Sequence, residues 1–140
     1  MNRIACAIVG CALLCLGGCK GDGPEIVEVE GTATHKGKPL PNLRVYFAPS
    51  EGRPSWGITD QQGKFRLDYD LDHDGAKVGK HTVYVLEDPT LSDPTAMDGK
   101  PRPKKSPELQ EVLTKYGKLE TSPLKIEIKK RETNLELKLD

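Results

Sequence analysis

Apolar and polar residues alternate one for one in six separate runs after residue 25. Val27, Val29, Gly31 and Ala33 are interleaved with Glu28, Glu30, Thr32 and Thr34. Leu43, Val45 and Phe47 alternate with Arg44, Tyr46 and Ala48, and Phe65, Leu67 and Tyr69 with Arg66 and Asp68. Val83 and Val85 lie in the run from His81 to Leu86. Leu124, Ile126 and Ile128 alternate with Lys125, Glu127 and Lys129, and Leu135, Leu137 and Leu139 with Glu136 and Lys138. A seventh, weaker run is Ser55–Thr59, around Trp56 and Ile58. Period two puts each apolar set on one face of a strand and its polar partners on the other.

The connections carry turn chemistry. Asp60-Gln61-Gln62-Gly63 offers a carboxylate that can bind amides two residues on and a glycine free to take positive φ. Arg131-Glu132-Thr133-Asn134 is the expected join of the last two strands. Residues 88–123 break the alternation: Asp88 to Pro107 is proline-rich and polar, an extended loop. Ser106 then fits a helix N-cap, with Pro107 at the first helical position and Glu108 in the first turn. Leu109, Val112, Leu113 and Tyr116 share one helical face, and Gly117 fits the C-terminal end. The expected fold is all-β: a seven-stranded antiparallel sandwich with one short helix inserted before the last two strands.

The first 24 residues read differently. Met1-Asn2-Arg3 is a basic start, and residues 4–16 form an apolar stretch too short for the roughly 20 residues of a membrane-spanning helix. Leu16-Gly17-Gly18-Cys19 resembles the bacterial lipobox: an aliphatic residue, two small residues that admit the peptidase, then the cysteine whose thiol takes a diacylglyceryl group. Ile8-Val9-Gly10-Cys11 would leave too short an apolar stretch, and Cys15 is preceded by a bulky leucine. The expected organisation is a signal peptide over 1–18, a flexible tether over 19–24 from lipidated Cys19, and one domain over 25–140. Such a chain would carry acyl groups such as palmitate and sit in the cell envelope, outside the cytoplasm, held to the membrane through Cys19.

All four cysteines, Cys6, Cys11, Cys15 and Cys19, lie in the first 19 residues, and only Cys19, its thiol taken by lipid, would survive processing, so the domain is expected to have no disulfide, thiolate metal site or cysteine nucleophile. Loss of Arg3 with the leader leaves 20 basic against 21 acidic side chains. That balance gives no global attraction to nucleic acid.

Residues 30–67 have a further grammar: Gly31, Lys36-Gly37-Lys38-Pro39-Leu40, Val45 and Phe47, then Gly57-Ile58-Thr59-Asp60, Gly63, Phe65 and Leu67. This resembles the carboxypeptidase regulatory-like domain, a transthyretin-like β-sandwich. Lys115-Tyr116-Gly117 and Glu120-Thr121-Ser122-Pro123-Leu124 resemble the close of small bacterial lipoproteins that carry it. The resemblance covers most of residues 26–139. It implies a fold and says almost nothing of chemistry.

Several residues invite a site. Asp70, Asp72 and Asp74 with Gly75 match the start of a calcium loop, but His81 stands where the bidentate glutamate belongs, and Lys77 and Lys80 are near enough to balance the charge. A solvated acidic loop is the expectation, with the three carboxylates as weak metal candidates. His35, His73 and His81 read as surface or loop histidines. Lys100, Arg102, Lys104 and Lys105 could meet anionic headgroups or an acidic polymer. Trp56 with Tyr46 or Tyr84 could make a sugar-stacking face, but packing in the core or at an edge is the expectation. No nucleophile elbow stands out. The transthyretin-like hydroxyisourate hydrolases end in Tyr-Arg-Gly-Ser, whereas this chain ends Leu137-Lys138-Leu139-Asp140. The reading is a non-catalytic, cofactor-free envelope protein, structural or binding an envelope protein or glycan. The alternatives are a calcium- or carbohydrate-dependent adhesion module and a hydrolase of this fold.

Overall fold

The computed structural model describes residues 23–88 and 105–140. The signal peptide, Cys19, and Lys100, Arg102 and Lys104 lie outside the described residues.

The described chain is mostly β. It contains β1 (Ile26–Val27), β2 (Val29–His35), β3 (Lys38–Pro39), β4 (Leu43–Pro49), β5 (Ser55–Ile58), β6 (Lys64–Arg66), β7 (Ala76–Lys77) and β8 (Gly79–Glu87). After these come the single helix α1 (Pro107–Tyr116), then β9 (Lys125–Ile128) and β10 (Glu132–Lys138). The ten strands exceed the seven expected because the first alternating run splits at Glu28 into β1 and β2, and because β3 and β7 are two-residue pairings with no alternation to betray them.

One sheet has the order β5-β4-β8-β9, all antiparallel. The other is built on β2, with β10 along one edge and β3 and β6 along the other. β1 and β7 pair separately. The two main sheets meet at the β5–β6 hairpin, where the Asp68 amide donates to the Trp56 carbonyl at 2.8 Å and the Trp56 amide to the Asp68 carbonyl at 3.1 Å. Gly57 makes this corner possible: a Cβ there would lie 2.1 Å from the Arg66 carbonyl oxygen.

The expectation of a wholly antiparallel arrangement fails at β10, which runs parallel to β2 with Leu137 beside Ala33. The last two strands do not form a hairpin either. β9 bonds to β8 in one sheet and β10 to β2 in the other, joined by Lys129–Arg131. Ile128 and Leu137 both reach the core, from opposite sides.

That core joins Val29, Ala33, Phe65 and Leu137 of one sheet to Leu43, Val45, Phe47, Val83 and Val85 of the other. Helix α1 adds Val112 and Tyr116. Its start is as the sequence reads: the Ser106 Oγ accepts from the Leu109 amide at 3.2 Å, and Pro107 opens the first turn. Its end differs, since Gly117 keeps a right-handed conformation and its amide simply closes onto the Leu113 carbonyl at 2.9 Å.

Two histidines expected at the surface are buried. His35 and His81 are each only 2% exposed. Their positions in the alternation explain it, His35 in phase with Ala33 and His81 with Val83. Each ring has one nitrogen against a backbone carbonyl, His35 Nδ1 on Leu139 at 2.5 Å and His81 Nε2 on Lys77 at 2.6 Å. The weak strand is also turned over: Ser55, Gly57 and Thr59 face inward, while Trp56 and Ile58 face out. The inner side at this corner has no room for an indole, because the Arg66 main chain occupies it.

Candidate functional site

Turning β5 over places Trp56 on the outer face of the four-stranded sheet, where it meets the outward residues of β4 and β8. Cross-strand register sets Trp56, Tyr46 and Tyr84 side by side on three adjacent strands. The next row is Ile58, Arg44 and Leu86 on the same strands. Ile58 and Leu86 are 37% and 40% exposed, while the aromatic rings and Arg44 are half-buried. The result is two rows of three side chains.

The rings hold one another. Tyr46 and Tyr84 stack with centroids 4.7 Å apart and planes 4° from parallel. The Arg44 guanidinium lies 4.8 Å from the centre of the Trp56 ring, within cation–π range. Arg44 also reaches Asp88, Nη2 to Oδ1 at 3.2 Å, and the Asp88 side chain is only 3% exposed. The arginine is thereby fixed between an indole and a buried carboxylate. Burial raises the Tyr84 phenol above its ordinary pKa, helped by Tyr46 and Glu120, so it stays a neutral hydrogen-bonding group.

This geometry bears on the two ligand classes the sequence suggested. Sugar stacking needs a free ring face. Here Arg44 lies over one face of Trp56, and Tyr46 and Tyr84 turn a face to each other. What remains is a pre-set patch of tryptophan, tyrosine and arginine flanked by two aliphatic side chains. Those three residue types dominate the energetic centres of protein interfaces. Arg44, Ile58, Leu86 and Asp88 were not singled out in the sequence. The signal for Arg44 and Leu86 was the outward phase they share with Tyr46 and Tyr84, whereas Ile58 reads inward in the sequence and Asp88 is buried, and only the register brings them together.

The acidic loop is used internally. Asp70 Oδ1 accepts from the amides of Asp72 at 3.0 Å and His73 at 2.8 Å, and lies 2.8 Å from His73 Nδ1. The His73 contact is the chief reason its carboxyl sits below the usual carboxylate range, with the Asp72 amide second. Asp74 is balanced by Arg66 at 2.6 Å, which also reaches Glu28 and Glu30. The expected lysines are not its partners: Lys77 Nζ instead donates to the Glu51 carbonyl at 3.3 Å. Among the described residues, no group of three His, Cys, Asp or Glu side chains is arranged to hold a metal.

Of the basic cluster, Lys105 is described, and its ammonium pairs with Glu87 at 2.6 Å. A second concentration of charge surrounds the buried His35, where Lys36 Nζ meets Glu111 at 2.9 Å. That bond and the lysine charge hold the Glu111 carboxyl low and raise Lys36. Lys115 and Tyr116 both donate to the main-chain oxygen of Asp140, the tyrosine at 2.6 Å. These contacts fasten α1 to the ends of β2 and β10. Along the outer face of β2 runs an open groove of about 910 Å³, floored by Thr32 and Thr34 and walled by Lys64, Arg66, Glu136 and Lys138. Both signs of charge line it, so it favours neither.

No helix among the described residues is long and apolar enough to cross a membrane. Comparison of the chain with protein-family models, curated proteins and solved structures found no match.

Proposed function

We propose that this chain is a lipid-anchored, non-catalytic module of the bacterial envelope that binds a partner protein through the Arg44, Tyr46, Trp56 and Tyr84 face. The anchor is Cys19, in its lipobox-like context Leu16-Gly17-Gly18. The domain is a transthyretin-like sandwich of the carboxypeptidase regulatory-like type, a reading supported by the turn and core residues of 30–67 and by two sheets closing on one apolar core. The observation that carries the binding role is the two-row patch on the outer sheet face, because its members are held in place before any partner arrives. Preorganisation spares the cost of ordering long side chains on association.

Trp56 is the one tryptophan in the chain, so its fluorescence reports on this face alone. The lipidated protein is used to capture partners from detergent-solubilised native envelope and is separately titrated with peptidoglycan fragments. The expected result is a captured protein that is lost with Trp56→Ala or Tyr46→Ala, and no fluorescence response to the glycan. Capture indifferent to both substitutions, or saturable quenching by the glycan, refutes the protein-binding role.

A further inference from the structure

β10 is the terminal strand of its sheet. Among the described residues it bonds only to β2, and its other edge is open. Residues of a parallel strand point both main-chain groups alternately to one neighbour and to the other. The Leu139 amide donates to the Thr34 carbonyl at 2.8 Å, so Leu135, Leu137 and Leu139 spend their main-chain groups on β2. Glu136 and Lys138 therefore aim theirs at the open edge. The pairing register breaks between Glu132 and Leu135, which limits the regular part of this edge to its last four residues.

Open edges invite unwanted pairing, and charge is a common defence. The charges here do something more selective. Glu136 and Lys138 are highly exposed, 76% and 68% at the side chain, and among the described residues they pair with each other, 3.5 Å apart along the strand. Laid antiparallel against itself about Leu137, the segment sets Glu136 opposite Lys138 twice. In the same register the four outward main-chain groups of each copy meet their complements, and the pair Glu136–Lys138 becomes the hydrogen-bonded one. A pairing centred on Glu136 or on Lys138 keeps the free main-chain groups in line but sets Glu136 against Glu136 or Lys138 against Lys138, like charge opposite like charge. Centring on Leu135 brings in the broken register. Among the alignments the main chain allows, the charges therefore select the one centred on Leu137.

We propose that the open edge of β10 pairs antiparallel with the β10 edge of a second copy of this chain, with the two-fold axis at Leu137, joining the two β2-centred sheets into one. Among the described residues the four-residue β9 also has an open edge, but its outward lysine is held across the sheet, Lys125 Nζ donating to Thr82 Oγ1 of β8 at 2.7 Å.

The test is sedimentation equilibrium of the full chain in density-matched detergent, with far-UV circular dichroism to verify folding. At roughly 100 µM chain a dimer is expected, and Lys138→Glu should weaken it about tenfold by setting glutamate against glutamate at both contacts. The exchanged pair Glu136→Lys with Lys138→Glu should restore it. In the unaltered chain, hydrogen exchange at the Glu136 and Lys138 amides should slow as concentration rises. A monomer at that concentration overturns the proposal. So does a dimer indifferent to the charge reversal, one weakened by Lys125→Glu on β9 instead, or exchange at the two amides that ignores concentration.

Discussion

Phe65→Ala should be among the most damaging single changes in the core. Phe65 is 4% exposed, stands directly across from Gly31, and packs against Phe47 with centroids 6.2 Å apart. A Cβ on Gly31 would lie 2.7 Å from the Phe65 Cζ, so the ring occupies the space the glycine leaves. Removing the ring opens a void beneath which there is no side chain to collapse. The cost should fall within the 3–5 kcal/mol of fully buried Phe→Ala changes. That is a large share of the roughly 5–15 kcal/mol that stabilises a typical domain. With a urea slope of about 1.5 kcal/mol/M, the denaturation midpoint should drop by roughly 2–3 M. Gly31→Ala should cost about 1–3 kcal/mol, since its methyl meets both the ring and the Leu135 carbonyl oxygen, the latter at 2.4 Å. The two changes share one clash, so the double variant should be less damaged than the sum, by at least about 0.5 kcal/mol. Urea unfolding followed by circular dichroism measures all three. A Phe65→Ala midpoint within about 0.5 M of wild type would refute the claim that the ring fills the space over Gly31.

Ser106→Ala should cost about 1 kcal/mol by releasing the Leu109 amide at the start of α1, seen as a lower urea midpoint with an unchanged slope. Trp56→Ala should leave the midpoint nearly unchanged compared with Phe65→Ala while abolishing partner capture, because Trp56 lies on the outer face; a comparable loss of stability would make the patch structural. The Asp70 carboxyl is depressed in the folded chain by His73 and the Asp72 amide, so its contribution is present above the unfolded value near pH 3.9 and is lost as pH falls through the lower folded value. Proton–deuterium exchange at the Asp72 and His73 amides should therefore accelerate beyond the intrinsic trend on acidification below about pH 4, and Asp70→Asn should remove that acid step. Calcium at roughly millimolar concentration should shift the melting temperature by less than a degree, since Asp70 and Asp74 are already engaged; a shift of several degrees abolished by Asp72→Ala would make the loop a metal site.

Local pattern carried much of the fold. The alternation located β2, β4, β8, β9 and β10 because burial on one face of a strand leaves its mark residue by residue. The helix start was legible for the same reason: Ser106, Pro107 and Glu108 act on amides within one turn. What failed was non-local. Whether β10 runs parallel to β2 depends on a crossing between sheets that no residue of β10 records. Trp56 and Ile58 pointed the wrong way because their phase is set by the Arg66 main chain at the corner, not by their own hydropathy. The burial of His35 and His81 follows their phase and not their polarity, since one backbone carbonyl meets the ring nitrogen that bonds in each. The aromatic patch sat half in view. Tyr46 and Tyr84 were on polar-phase positions from the start, but their stacking with each other and the pinning of Arg44 over Trp56 exist only once register is fixed.

The proposed role begins with attachment to a membrane through Cys19, and the intact mass of the mature protein extracted from native bacterial membranes tests it most directly. The account predicts a chain beginning at Cys19, heavier than its 122-residue polypeptide by a diacylglyceryl group, together with any acyl chain on its amino terminus, and without residues 1–18. An unmodified chain that retains those residues, or one cleaved elsewhere and free of lipid, contradicts it.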